Sequence, residues 1–141
     1  MPVWRGAAYG GTGMRHPKTA PRRNRHLLDM AREQPCLMGI HGICNHNPET
    51  TVAAHSNLLA HGKAKGRKAD DCYSVWACSA CHAWYDQSNR PQRLKQFAWD
   101  VAHDIQRGQW RRIAADPLAP AQDKRAAEWA LECLDKERAH A

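Results

Sequence analysis

Four cysteines in two close pairs constrain this chain more than any other feature. Cys36 and Cys44 flank the run LMGIHGI, and Cys78 and Cys81 flank Ser79 and Ala80. Each pair falls in or beside an expected turn. Gly39 and Gly42 suit the first pair to a tight hairpin or knuckle, where the backbone bends in ways a Cβ would resist. Brought together, the four thiolates make a closed tetrahedral site, the arrangement of a structural zinc with no position open for chemistry. The alternative for any single cysteine is a small buried apolar residue, and this is expected for Cys72 and Cys133, which have no near partner in sequence. His41 and His46 lie beside the first pair and either could replace a thiolate, although all-cysteine ligation ranks above that.

The rest of the sequence bears this out as a small metal-stapled domain. With 141 residues, 43% of them hydrophobic, the chain has room for one modest core. No stretch reaches the roughly 18 apolar residues of a membrane span, and the start MPVWRGAAYGGTGMRHP has no apolar signal-peptide centre. A soluble, cytoplasmic protein without a membrane partner is expected. In that reducing compartment six cysteines point to a metal rather than to a disulfide framework.

Lys and Arg number 21 against 14 Asp and Glu, a net charge of +7, which favours a polyanionic partner, nucleic acid first. Residues 1–33 hold seven basic side chains (Arg5, Arg15, Lys18, Arg22, Arg23, Arg25, Arg32) against Asp29 and Glu33, leaving little net charge for the remainder. Residues 1–25 are rich in Gly, Pro and Arg with no apolar period, so a flexible basic arm is expected, a solvated tail being its plainest reading. Lys63, Lys65, Arg67 and Lys68 form a second basic group in the loop HGKAKGRKADD, suited to a phosphate backbone.

The local pattern gives a short helical turn at HLLDMAREQ, then β-prone TTVAAH and CYSVWAC as two strands, then a short helix from near Cys81 to Gln87. A longer helix follows, capped by Ser88 or Asn89 with Pro91 in its first turn and ending before Gly108. Its stripe of Leu94, Phe97, Ala98, Val101 and Ile105 is expected to face the core. A last helix over about 121–138 carries Ala126, Trp129, Ala130, Cys133 and Leu134 on one face. The tryptophans after Trp4 read as packing residues. The class is α+β, with helix dominating.

His82 and Asp86 stand four apart on the short helix, so their side chains share a face and can share one divalent cation, Mg, Mn, Ni or Zn. A surface ion pair is the commoner origin of such spacing, but the position directly after Cys81 favours the cation. His55, at the end of the first strand, carries no role by itself.

Taken together, Ala54-His55 on a strand and Cys78-Ser79-Ala80-Cys81-His82-x3-Asp86 on a helix resemble the HNH, or His-metal finger, endonucleases. Over about residues 30–90 the likeness is closer to the YbcO-like phage and prophage nucleases, through NPETTVAAH, AHSN…HGKAKGRKADD and ACSACHAWYD. The resemblance implies a ββα-metal finger with a structural zinc knuckle on Cys36, Cys44, Cys78 and Cys81, extended by C-terminal helices. It implies a metal-dependent DNA endonuclease with His55 as general base and His82 and Asp86 on the catalytic divalent cation. The expected organisation is an arm at 1–25 and a nuclease domain at 26–141, its zinc and ββα core at about 34–90 and its helical extension at 91–141. Two positions depart from the family pattern. Ala54 stands where many HNH enzymes carry a metal ligand, and Tyr73 or Ser74 where an Asn orients the base; His61, Asn57, Asp70 and Asp71 are the candidates to fill these gaps. A catalytically silent zinc module that binds DNA is the main alternative, and an RNA-directed nuclease a third. Cutting both strands at once would need a second copy, so a homodimer is compatible with this reading.

Overall fold

The computed structural model describes residues 20–139, with side chains as far as residue 136. In order come α1 (Arg25–Asp29), β1 (Val52–His55), β2 (Ser74–Ala77), α2 (Ser79–Gln87), α3 (Gln92–Ala115) and α4 (Ala121–Ala139), with 3-10 turns at Pro48–Thr50 and Leu59–His61. This is the mixed α+β class expected, a two-stranded sheet with four helices among the described residues. No helix among them is long and apolar enough to cross a membrane.

The strands pair antiparallel, Val52 opposite Ala77, Ala53 opposite Trp76, Ala54 opposite Val75 and His55 opposite Ser74. Because strand side chains alternate between faces, this register sends Ala54 into the core, fully buried, and turns His55 away from it. α2 follows β2 directly, its first turn capped by the Cys78 sulfur, which accepts from the Cys81 N–H.

Two buried clusters hold the fold. One lies beneath the sheet and α2 and includes Met38, Ala54, Val75, Cys78, Tyr85 and Trp99. The other joins α1, α3 and α4 through Leu27, Cys72, Trp110, Ala127, Cys133 and Leu134, and Tyr73 packs against both. Cys72 and Cys133 thus occupy the apolar positions expected of them.

α3 corrects the sequence reading. Leu94, Phe97, Val101 and Ile105, expected in the core, are 45–66% exposed, whereas Trp99, Ala102, His103, Gln106 and Trp110 are buried. The physical reason lies in the sheet, since two strands leave edge N–H and C=O groups that must find partners once buried. Gln106 Oε1 accepts from the Trp76 N–H at 2.8 Å, Trp99 Nε1 donates to the Ala54 carbonyl at 3.1 Å, and His103 Nε2 donates to the Cys72 carbonyl at 2.9 Å. An aliphatic face cannot make these bonds, so the aromatic and polar face turns inward. α3 also continues through Gly108 to Ala115; buried Trp110 and its neighbours offset the roughly 1 kcal/mol that a helical glycine costs.

His103 makes stability depend on pH. Its ring lies over Trp99, with centroids 4.7 Å apart. Burial, reinforced by the nearby His61, pushes its pKa from 6.5 down to about 4, against the opposing pull of the Cys72 carbonyl and Asp104. The folded state therefore binds the proton more weakly than the unfolded chain. The resulting stability is complete above pH 6.5 and is lost as pH falls toward 4, about 2 kcal/mol of it by pH 5. Denaturant titrations at pH 7.5 and 5 should show this loss in the wild type and a smaller one in His103→Gln. Equal losses in the two proteins would remove His103 as the cause.

Candidate functional site

The four-cysteine cluster forms where the 36–44 turn meets the start of α2. Gly39 and Gly42 adopt φ of +49° and +77° there, the left-handed bends expected of a knuckle. The sulfurs of Cys36, Cys44, Cys78 and Cys81 all lie within 4.8 Å of one another. Four sulfurs about 2.3 Å from a tetrahedral centre stand about 3.8 Å apart, and Cys44 and Cys78 are at 3.8 Å. Backbone donors point at the sulfurs as they would at thiolates, from Gly39 to Cys36, Ile40 to Cys81 and Cys81 to Cys78, each at 3.4 Å. Burial raises the thiol pKa at Cys44 and Cys81. At Cys78 burial also acts upward, but the N–H groups of Asn45 and Cys81 and the neighbouring thiols outweigh it and bring the group down to about 7. The donor set and its spacing fit a bound metal ion. His46 sits beside the cluster, Nδ1 3.8 Å from the Cys44 sulfur, and His41 is exposed.

The NPETT turn ties this cluster to the sheet. The Asn47 side chain accepts from the Glu49 N–H, and Thr50 Oγ1 accepts from the Ser79 N–H at 3.1 Å. β1 and α2 are thereby held side by side, which places His55 and His82 on one cleft.

That cleft has a volume of about 490 Å³, and His55, Asn57, Lys63, Lys68, His82 and Asp86 are among its walls. His82 Nε2 lies 3.1 Å from Asp86 Oδ2 across one turn of α2, and Asn57 Nδ2 donates to Asp86 Oδ1 at 3.0 Å. Burial acts to raise the Asp86 carboxyl. The hydrogen bonds from His82 and Asn57 and the charge of Lys63 prevail, and hold it below the usual carboxylate range. The result is an ionised oxygen donor beside an imidazole nitrogen, a donor pair that suits a hard or borderline divalent cation.

On the same cleft, His55 Nε2 donates to Asp71 Oδ1 at 2.9 Å, with the His55 side chain 13% exposed. Burial again acts to raise Asp71, and again it is outweighed, here by hydrogen bonds from His55 and the Asn24 N–H and by the charge of Arg23. Asp71 therefore stays a carboxylate.

Of the four residues considered for the two departures, Asn57 and Asp71 touch the site. His61 instead stacks on Tyr73 at 3.9 Å and shares a 2.7 Å hydrogen bond with Ser56, and Asp70 pairs with Arg22. Ala54 is fully buried among the core residues and does not face the cleft.

The basic loop divides. Ala64 and Arg67 bridge in a tight turn, Lys63 and Lys68 reach the cleft, Lys65 is exposed at the tip and Arg67 is half-buried. Arg32 also lines the cleft, a contribution its place in the basic N-terminal third did not reveal. The expected arm lies outside the described residues as far as residue 19. Its last residues are bound to the body, Arg22 on Asp70 and Arg23 on Asp71.

Fold and site together define a small α+β protein in which a four-cysteine cluster that could hold a metal ion buttresses a histidine- and carboxylate-lined cleft. The chain belongs to the family described as "Putative nuclease YbcO", whose profile matches residues 25–115. Over 61 residues, 43% of this chain, it is 44% identical to "Putative nuclease YbcO" of Escherichia coli strain K12 and to the protein of the same description from Enterobacteria phage 82. The match spans 62% of the length of each of these relatives. A solved structure of a "putative bacteriophage protein" from Escherichia coli K-12 is 27% identical, covering 59% of this chain and 93% of that one with a TM-score of 0.47.

Proposed function

We propose that this chain is an HNH-type endonuclease that hydrolyses phosphodiester bonds in DNA, with zinc on its four cysteines and a divalent cation at His82 and Asp86. What supports the reading is the convergence on one cleft, in the order β1–β2–α2, of a histidine, an imidazole–carboxylate pair and two lysines. In this reading residues 26–141 act as one nuclease domain of phage or prophage origin.

His55 takes a proton from the attacking water as its oxygen bonds to phosphorus, and the bond to the leaving oxygen breaks. A cation on His82 and Asp86 would supply Lewis-acid stabilisation of the charge on phosphate and leaving oxygen. Lys63, Lys68 and Arg32 hold the flanking backbone electrostatically, without reading sequence. Asn57 fixes the Asp86 carboxylate, so that its second oxygen stays with His82. Four-thiolate ligation would leave a zinc no open position, and its part would be to pin the 36–44 turn to the start of α2.

The test is cleavage of supercoiled plasmid by protein treated with a weak chelator, one that clears a two-ligand site but leaves a four-thiolate one. Restoring Mg, Mn, Ni or Zn should restore nicking, with DNA cut in preference to an RNA competitor. Plasmid binding without nicking under every cation would replace the nuclease with a silent DNA-binding module.

A further inference from the structure

The base candidate His55 is held by a residue that is itself held from outside the finger. Asp71 has a side chain only 1% exposed, and three donors converge on it. His55 Nε2 and Arg23 Nη1 lie 2.9 and 3.4 Å from Oδ1, and the Asn24 backbone N–H lies 2.7 Å from Oδ2. Arg23 also donates to the carbonyls of Ala69 at 2.6 Å and Lys68 at 3.1 Å. The neighbouring pair repeats the arrangement: Arg22 donates through its backbone N and its Nε to Asp70, both at 3.1 Å, and its carbonyl accepts from the Asp71 N–H at 2.9 Å. Residues 22–24 are thus zipped along residues 68–71. They are drawn there by α1, whose Asn24 cap and buried Leu27 fix the segment just beyond.

We infer that Asp71 is a positioning residue for His55, and that the strap Arg22–Asn24 belongs to the catalytic apparatus because it fixes Asp71. An ionised carboxylate offers only acceptors, so the His55 proton sits on Nε2 and Nδ1 keeps its lone pair for the cleft that His55 lines. This role fills the place of the missing Asn with a carboxylate from the loop before β2. It also gives residues that precede the finger in sequence a part in its chemistry. The inference rests on the nuclease reading for its consequence in catalysis, though not for the tautomer.

Asp71→Asn separates positioning from mere support. The Asn24 N–H, at 2.7 Å, has no other acceptor among the described residues, whereas Arg23, at 3.4 Å, keeps the carbonyls of Ala69 and Lys68, so the amide oxygen takes the Oδ2 place and its NH2 faces His55. The ring is then obliged to accept at Nε2 and to carry its proton on Nδ1. In the full-length, zinc-loaded, 15N-histidine-labelled protein, ring-nitrogen shifts should report Nε2–H for wild-type His55 and Nδ1–H for folded Asp71→Asn. Nicking should fall at least tenfold in kcat with KM nearly unchanged, as removal of an outer partner of a catalytic group typically does. An unchanged tautomer in the folded variant overturns the inference, and so does a switched tautomer with undiminished kcat. If Asp71→Asn does not fold, Arg23→Gln carries the test, with a several-fold loss of kcat expected; a rise in KM alone would make Arg23 a phosphate contact instead of part of the strap. Should the wild type nick no plasmid, the nuclease reading falls, and the hold on His55 stands or falls with the tautomer.

Discussion

Cys78→Ser is expected to abolish metal retention and to remove the cooperative melting of the sheet-side core. Cys78 is fully buried, contributes a sulfur to the cluster and caps α2 with that same sulfur. The two strands are four residues each, too small a sheet to be stable alone, and the core beneath them contains Cys78 and Cys81 as members. In small domains the binding energy of a structural zinc is largely folding energy, about 10–16 kcal/mol in finger peptides, comparable with the whole stability of an ordinary domain. Loss of one of four ligands should therefore cost on the order of 5 kcal/mol. The α1, α3 and α4 cluster contains none of these ligands, so residual helix is expected in the circular dichroism of the variant. Cys72→Ser and Cys133→Ser are the controls: each places a hydroxyl in an apolar setting at a cost of about 1–3 kcal/mol, with the metal retained. Metal analysis and thermal melts on the three variants decide the matter. A Cys78→Ser protein that keeps its metal and melts with the wild type would mean that the cluster is not a metal site.

The clustering of the four cysteines was legible because a four-thiolate metal site would impose both residue type and spacing. Cys78-x2-Cys81 is set by one helical turn, and the Cys36–Cys44 turn carries glycines where the backbone bends. That His82 and Asp86 stand side by side was legible too, since a helix fixes the geometry of residues four apart. The inward face of α3 was hidden. Apolar periodicity marks Leu94, Phe97, Val101 and Ile105, but the choice between faces was made by hydrogen bonds that join Trp99, His103 and Gln106 to backbone groups of the sheet and of the loop leading into it, which sequence does not display. The strap was hidden more deeply. Arg22 and Arg23 looked like part of a basic tail, and their carboxylate partners lie 48 positions further on. Two adjacent arginines facing two adjacent aspartates, Asp70 and Asp71, are the only trace of that pairing in the sequence, and composition alone assigns such charges to solvent.

His55→Ala is expected to lower DNA cleavage by about 10²–10⁴-fold, the range in which a positioned general base contributes. Fold and binding should survive. Removing the ring deprives Asp71 of one donor, but the Asn24 N–H and Arg23 remain, so the cost to stability should be about 1–2 kcal/mol. Lys63 and Lys68 stay on the cleft, leaving affinity and its salt dependence as in the wild type. A lost ligand behaves differently. His82→Ala leaves Asp86 alone at the cation site and should raise the cation concentration needed for half-maximal nicking, whereas His55→Ala should leave that concentration unchanged and depress the plateau. Added imidazole can enter an open cleft of this size, and it should restore part of the plateau in His55→Ala but not in His82→Ala. Wild-type nicking by folded His55→Ala would remove the histidine from the chemistry. The base would then have to be sought among the other groups on the cleft. A plateau that recovers with cation rather than with imidazole would instead make His55 a ligand. Proton transfer and metal ligation use the same nitrogen lone pair, so which small molecule restores activity distinguishes the two roles that a histidine in this position can take.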